Sequence, residues 1–233
     1  PLLNSVSQDF TKMAERGFFD RVVGKEKAIS KAVEVLERAS NRNVLVIGEP
    51  GCGKTMMVKG IAQVIVGGTM SSALAFKRLV AIDPGSLIAG CRSSGEITER
   101  LTKIFKEIIA SQNIIIFIDE IHSLVSASGS NADLATVFNT LIPYLENDSF
   151  QLIGATTISE YRKYIEPNGA FTRLFNVVNL EEASDKETLE ILKTLLKKYK
   201  EQYGVEISYI ALTKAVELSK KLIRDRVLPD KAV

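Results

Sequence analysis

The sequence predicts a doubly wound α/β layer followed by a small helical domain, on three observations. Five short apolar runs come first: VLVIG (44–48), RLVAID (78–83), NIIIFID (113–119), FQLIGAT (150–156) and FNVVNL (175–180). None alternates cleanly, as expected of strands buried on both faces of a parallel sheet. Second, the segments between them carry helical spacing, with Ile29, Ala32, Val33 and Leu36 on one stripe and Leu101, Ile104, Phe105 and Ile108 on another. Third, no run of comparable strand strength follows Leu180. Repeated strand–helix alternation builds a sheet covered by helices on both sides. Residues 1–180 are therefore expected to form a five-stranded parallel α/β domain, and residues 181–233 a helical one.

The helical part is marked by its own signals. Ser184 and Glu187 in SDKE (184–187) have the spacing of a capping box, in which each side chain meets the other residue's backbone N–H. The helix behind it runs from Asp185 through Leu189, Leu192, Leu195, Leu196 and Tyr199, and Gly204 stops it. A second helix is expected from Tyr209 to about Ile223. The chain has no initiator methionine and stops at LPDKAV, so it is expected to be a segment of a longer protein with this second domain incomplete.

Composition excludes little but bounds the rest. Hydrophobic residues make up 45% of 233, enough for a sizeable core, and the charges nearly cancel at +2. That balance gives no reason to expect nucleic acid as a partner, for which a basic stripe would be the cue, and does not exclude it. Two cysteines, Cys52 and Cys91, are too few for a disulfide framework and lack metal-ligand spacing. A reduced compartment follows, cytoplasmic or an organelle lumen. No apolar stretch reaches the roughly 20 residues of a membrane helix.

The chemistry begins at GEPGCGKT (48–55), which fits G-x-x-x-x-G-K-[ST] directly after a strand and before a helical run. Its glycines let the backbone curl so that N–H groups converge on phosphate oxygens, at the positive end of the following helix. Pro50, Gly51, Cys52 and Gly53 form the curl. Lys54 is expected to reach the β- and γ-phosphates, and the Thr55 hydroxyl to ligate Mg²⁺. Cys52 is expected to be a small filler without a redox role.

The run IIIFIDE (114–120) then ends in two carboxylates. The carboxyl end of a parallel strand faces the ligand crevice. Asp119 is thereby placed to hold Mg²⁺, directly or through water, and Glu120, on the other side of the pleat, to polarise a water for attack on the γ-phosphate. His122, the chain's only histidine, is expected to be structural. Thr157, just past the fourth strand, can position the attacking water if that strand lies between the two motif strands.

With these residues in hand a resemblance emerges. VVGKEKAI, GEPGCGKT, GSLIAG, FIDEIHSL, IGATTISEYRKYIE and DRVLPDKAV together resemble the first ATPase domain of the Clp family of AAA+ protein unfoldases, from about Phe10 to the last residue. The resemblance implies a hexameric ring of identical chains that binds ATP or ADP with Mg²⁺ between neighbours. It also implies protein substrates, and a protease or co-chaperone reached through regions outside this segment. By the family's pattern Glu120 is the hydrolytic base, Thr157 the sensor, and Arg173 the finger reaching the next subunit's site. Val22, Val23 and Gly24 line the adenine, and Ile191 covers its other face.

The chain departs from that pattern twice. Leu174 stands where a second arginine is usual, leaving one finger. In CRSSGE (91–96), Ser93 takes the place of the aromatic that lines the ring's pore, and a serine buries almost none of the ~1.5–3 kcal/mol of a large apolar side chain. The leading expectation is an ATP-hydrolysing ring of a protein-remodelling machine. The alternative is a nucleotide-gated hexamer-assembly module whose traction comes from a second ring.

Overall fold

The computed structural model describes residues 2–68, 74–126 and 132–233. In chain order its elements begin with α1 (Leu2–Ser5), β1 (Ser7–Asp9), α2 (Phe10–Glu15), α3 (Glu26–Leu36), β2 (Asn43–Ile47) and α4 (Lys54–Gly67). There follow β3 (Arg78–Ile82), α5 (Pro84–Ile88), α6 (Ser94–Ser111), β4 (Ile114–Ile118), α7 (His122–Ser126), α8 (Ala132–Glu146) and β5 (Gln151–Thr156). Next come α9 (Ile158–Glu160), which continues into a π-helical turn over Tyr161–Ile165, then α10 (Gly169–Thr172) and β6 (Phe175–Asn179). The chain closes with α11 (Asp185–Tyr203), α12 (Tyr209–Leu222) and a 3₁₀ turn over Asp230–Ala232.

The sheet order is β1-β3-β4-β5-β2-β6. The five expected strands are all parallel to one another. A sixth, β1, pairs antiparallel with β3 at the edge. Its three residues, Ser-Gln-Asp, are polar and give no apolar signal. They are tied down by side chains: Asp9 pairs with Arg78 at 2.7 Å, and Leu79 N–H donates to Thr11 Oγ1 at 2.7 Å.

Side chains of each strand divide between two buried clusters. Leu45, Ile47, Val80, Ile114, Ile116, Ile118 and Leu152 join α6 and α8 through Leu101, Ile104, Phe105, Val137, Phe138 and Leu141. Val44, Val46, Leu79, Ile115, Phe117 and Ile153 join α3 and α4 through Ile29, Val33, Leu36, Met57, Val58 and Ile61. Both faces are covered, so every position of β2, β4 and β5 is buried. This explains the missing alternation in the sequence.

A third cluster of Ala183, Leu192, Leu212, Val216 and Leu228 holds α11 and α12 together. The capping box forms as expected: Glu187 N–H donates to Ser184 Oγ at 3.3 Å and Ser184 N–H to Glu187 Oε2 at 2.8 Å. Gly204 ends α11 with φ +67°. Among the described residues no helix is long and apolar enough to cross a membrane.

Candidate nucleotide site

The sheet order places the carboxyl end of β5 between those of β2 and β4, so the segments after these three strands share one crevice. After β2 the loop curls through Gly51 (φ +80°) and Gly53 (φ +94°), a left-handed backbone that glycine adopts at no steric cost. Gly53 is the N-cap of α4. Lys54, the first residue of α4, reaches back over the curl and donates to the carbonyls of Gly48 at 2.9 Å and Glu49 at 3.0 Å. Its ammonium thus lies over the glycine-rich curl. Cys52 is fully buried in the second cluster. Burial pushes its thiol up from the ordinary value, against the pull of Lys54 and Lys25. A thiol held protonated is a poor nucleophile, which agrees with a filler role.

Thr55 Oγ1 donates to Asp119 Oδ2 at 2.7 Å, so the two residues expected to hold Mg²⁺ are in direct contact. Hard oxygens of this kind suit Mg²⁺. Asp119 Oδ1 accepts from the Glu120 N–H at 3.0 Å. Here the structure corrects the local reading: β4 ends at Ile118, and a turn rather than the pleat aims Glu120. Glu120 has φ +51°, an uncommon conformation for a side-chain-bearing residue. The turn is pinned by Ile121 N–H on the Ala155 carbonyl at 3.0 Å and by Ser123 N–H on the Glu120 carbonyl at 2.8 Å. Glu120 is exposed at a cleft of about 700 Å³ that Thr55, Asp119, Asp83, Ser86 and Ser123 also line.

Next to it, His122 Nδ1 lies 3.1 Å from Thr156 Oγ1, and Thr156 is buried. One ring nitrogen of the lone histidine thus meets a buried hydroxyl, which is compatible with the structural role expected of it. Thr157 follows β5 as the N-cap of α9. Its Oγ1 accepts from the Glu160 N–H at 3.1 Å and contacts Ser159 Oγ at 3.0 Å.

Segment 22–24 lies between α4 and α11. A methyl group added at Gly60 in the middle of α4 would lie 3.3 Å from Val22. Val23 lines a cleft with Glu190 and Thr194 of α11. Gly24 has φ +74°, and a Cβ there would lie 2.9 Å from Glu187 Cγ. Ile191, half-buried, shares with Glu187 and Thr194 the helical face spaced i, i+4, i+7. Of that face, Glu187 and Thr194 adjoin the segment.

Arg173 is exposed at the end of α10, two residues before β6. The register pairs Phe175 with Asn43 and Asn179 with Ile47. Arg173 is thus at the amino end of the sheet, whereas the phosphate loop is at the carboxyl end. Five strand residues separate these levels, roughly 16 Å, so Arg173 is far from its own chain's site. Leu174 packs against the first cluster, and its carbonyl accepts from Asn43 Nδ2 at 3.1 Å.

α6 begins at Ser94, and Ser93 is its N-cap, accepting from the Glu96 N–H at 3.3 Å. Glu96 reaches back to the Arg92 N–H at 2.8 Å. The segment is a formed helix start. An S-x-x-E spacing was present to signal it.

A phosphate curl at the carboxyl end of one strand, with a carboxylate pair two strands away, defines a P-loop nucleotide-binding protein. Residues 44–181 match the ATPase family associated with various cellular activities (AAA), and residues 184–233 match the AAA lid domain. The chain belongs to the AAA ATPase family. Over all 233 residues it is 42% identical to the ATP-dependent Clp protease ATP-binding subunit ClpC of Staphylococcus saprophyticus, and equally to that of Staphylococcus aureus. Among solved structures it is similar to Saccharomyces cerevisiae Hsp104 in a casein complex, with TM-score 0.90 and 37% identity over the whole chain. A Saccharomyces cerevisiae Hsp104–ADP complex gives TM-score 0.88 and 38% identity over 99% of it. The chain spans 28% of the length of those ClpC relatives and 39% of the Hsp104 chain in the casein complex.

Proposed function

We propose that the chain is an ATP-hydrolysing ring segment of a Clp-type protein-remodelling machine, unfolding or disaggregating protein substrates as a homo-hexamer. In this reading residues 1–180 are the nucleotide-binding body and residues 181–233 its lid, with the adenine between Val22, Val23 and Gly24 on one side and Ile191 on the other. Backbone N–H groups of Pro50, Gly51, Cys52 and Gly53 surround the phosphates, and the Lys54 ammonium offsets their charge. Thr55 and Asp119 would hold Mg²⁺, which supplies Lewis-acid stabilisation of the phosphate oxygens when bound. Glu120 accepts the proton of the attacking water as general base. Thr157 orients that water by hydrogen bonding.

The observation that carries the oligomeric part is the place of Arg173. An exposed cation at the sheet end opposite its own phosphate loop can complete only a neighbour's site. A finger of this kind is worth about 10³–10⁵ in rate in the NTPases where it is measured. A cytoplasmic setting and a protease or co-chaperone partner, contacted through parts of the protein outside this segment, complete the reading. The segment around Ser93 would guide a threading chain without gripping it.

The test is turnover against concentration. Activity per subunit should rise as the protein is concentrated, and Arg173→Ala should lower turnover far more than ATP affinity. Glu120→Gln should retain ATP and stop hydrolysis. Flat specific activity across a wide dilution series with monomers throughout would refute the shared site. A parent hexamer that binds ATP without turnover would favour the assembly-only alternative.

A further inference from the structure

Lys25 is the one charged side chain that is buried among the described residues, at 6% exposure. Burying an ammonium is costly unless an anion answers it. Lys25 Nζ donates to a single protein acceptor, the Glu181 carbonyl at 3.2 Å, which is neutral. A neutral donor could meet the same carbonyl without desolvating a charge. Its location supplies the missing reason. The side chain runs along the phosphate loop, and a methyl group added at Gly53 would lie 3.6 Å from Lys25 Cε. Gly53 is the residue whose left-handed turn starts α4 just before Lys54. The field of Lys25 also reaches Cys52 within that loop.

We propose that Lys25 is a second cationic contact for the phosphate chain of the bound nucleoside di- or triphosphate, beside Lys54. The proposal rests on the nucleotide-site reading above and adds to it a residue outside the G-x-x-x-x-G-K-[ST] motif. A buried cation at the loop's edge, hydrogen-bonded to a neutral carbonyl and only within the wider field of the Glu187 carboxylate, has in the phosphates an anion it can contact directly. Its bond to Glu181, two residues past β6, also joins the phosphate site to the start of the helical region.

Titration of a fluorescent ADP into the parent, Lys25→Met and Lys54→Ala proteins tests this, with the melting temperature of each nucleotide-free protein recorded alongside. Methionine keeps the length of the side chain and removes the charge. Lys25→Met should weaken ADP binding about tenfold or more, the size of a lost charge-assisted hydrogen bond. Its nucleotide-free melting temperature should hold or rise. Affinity within about twofold of the parent, or a loss of affinity matched by a fall in that melting temperature, overturns the proposal. If Lys25→Met does not fold, the parent protein is treated with an acyl phosphate of ADP. An amine beside the terminal phosphate attacks the acyl carbon. The C–O bond to phosphate breaks, ADP leaves, and the ammonium's protons pass to solvent as the amide forms. Mass spectrometry should find the acyl group on Lys25 as well as Lys54; a tag on Lys54 alone overturns the proposal. A parent that takes up no ADP, or Lys54→Ala binding like the parent, refutes the nucleotide-site reading instead.

Discussion

Gly51→Ala tests whether the last turn of the chain rests on the phosphate loop. Gly51 has φ +80°, and a Cβ there would lie 2.6 Å from Asp230 Cβ. The left-handed backbone costs an alanine about 1–2 kcal/mol. Carbon atoms settle at about 3.5–4 Å, so the 3₁₀ turn over Asp230–Ala232 must retreat by about 1 Å. The atom struck is a Cβ, fixed to the backbone, and no rotamer change moves it aside. The turn is held by Lys231 N–H on the Val227 carbonyl at 3.1 Å and Ala232 N–H on the Pro229 carbonyl at 2.9 Å. Lys231 is further tied to Glu182 at 3.3 Å. Overpacking of this kind costs about 1–3 kcal/mol, for a total near 2–5 kcal/mol. Asp230→Gly removes the struck atom and leaves the backbone cost. Urea unfolding of the four proteins of a double-mutant cycle should therefore give a coupling of about 1–3 kcal/mol. Additivity within about 0.5 kcal/mol would refute the contact.

Ser93→Ala should destabilise the chain by about 1 kcal/mol through loss of the α6 cap, and Ser93→Asp should restore it, both read by urea unfolding. Cys52 should alkylate slowly at neutral pH and rapidly once denaturant opens the core, because burial holds the thiol protonated; equal rates in both conditions would contradict this. Glu187 is held below its ordinary value of 4.5 by the Ser184 hydroxyl and N–H, with Lys25 and Lys27 adding to the effect. A depressed carboxylate contributes stability above its unfolded value and loses it as pH falls through the folded one. Replacing Glu187 by Gln should therefore flatten the fall in melting temperature below about pH 4.5. An unchanged acid limb would show that the carboxylate carries no such coupling.

The fold was legible where burial dictates residue type. β2, β4 and β5 are buried along their whole length, so their apolar runs could carry no other pattern. The motif residues were legible because phosphate chemistry restricts them: a curl needs glycine, and a metal needs hard oxygens beside it. β1 was not legible, since an edge strand of three polar residues is fixed by a salt bridge and one hydroxyl contact between residues about seventy apart in sequence. The aim of Glu120 was misjudged because strand β4 ends one residue sooner than its apolar pattern suggests, and a left-handed turn then sets the direction. Lys25 went unnoticed because a lysine at the head of a helix looks solvated. Only the packing of its own side chain beside Gly53 and its bond to the Glu181 carbonyl remove it from water.

The two departures from the Clp-like pattern both have local structural duties. Leu174 packs into the first cluster beside Phe171 and Phe175. An arginine there would have to leave that contact and carry its charge outward. Ser93 caps α6, the helix whose buried face supplies Leu101, Ile104, Phe105 and Ile108 to the core under β4. A tyrosine at Ser93 could not accept from the Glu96 N–H as a short hydroxyl does. Each substitution therefore exchanges a surface function for fit within the subunit, while Lys54, Thr55, Asp119, Glu120 and Arg173 are all retained. In the proposed reading, such a subunit would keep the residues assigned to binding and cleaving ATP but would lack apolar grip at the pore and one of two fingers. If Arg173 is the finger, Arg173→Ala should have no second arginine to soften its effect on hydrolysis. If Arg173→Ala retains most of the parent's turnover in an assembled hexamer, the finger belongs to another residue.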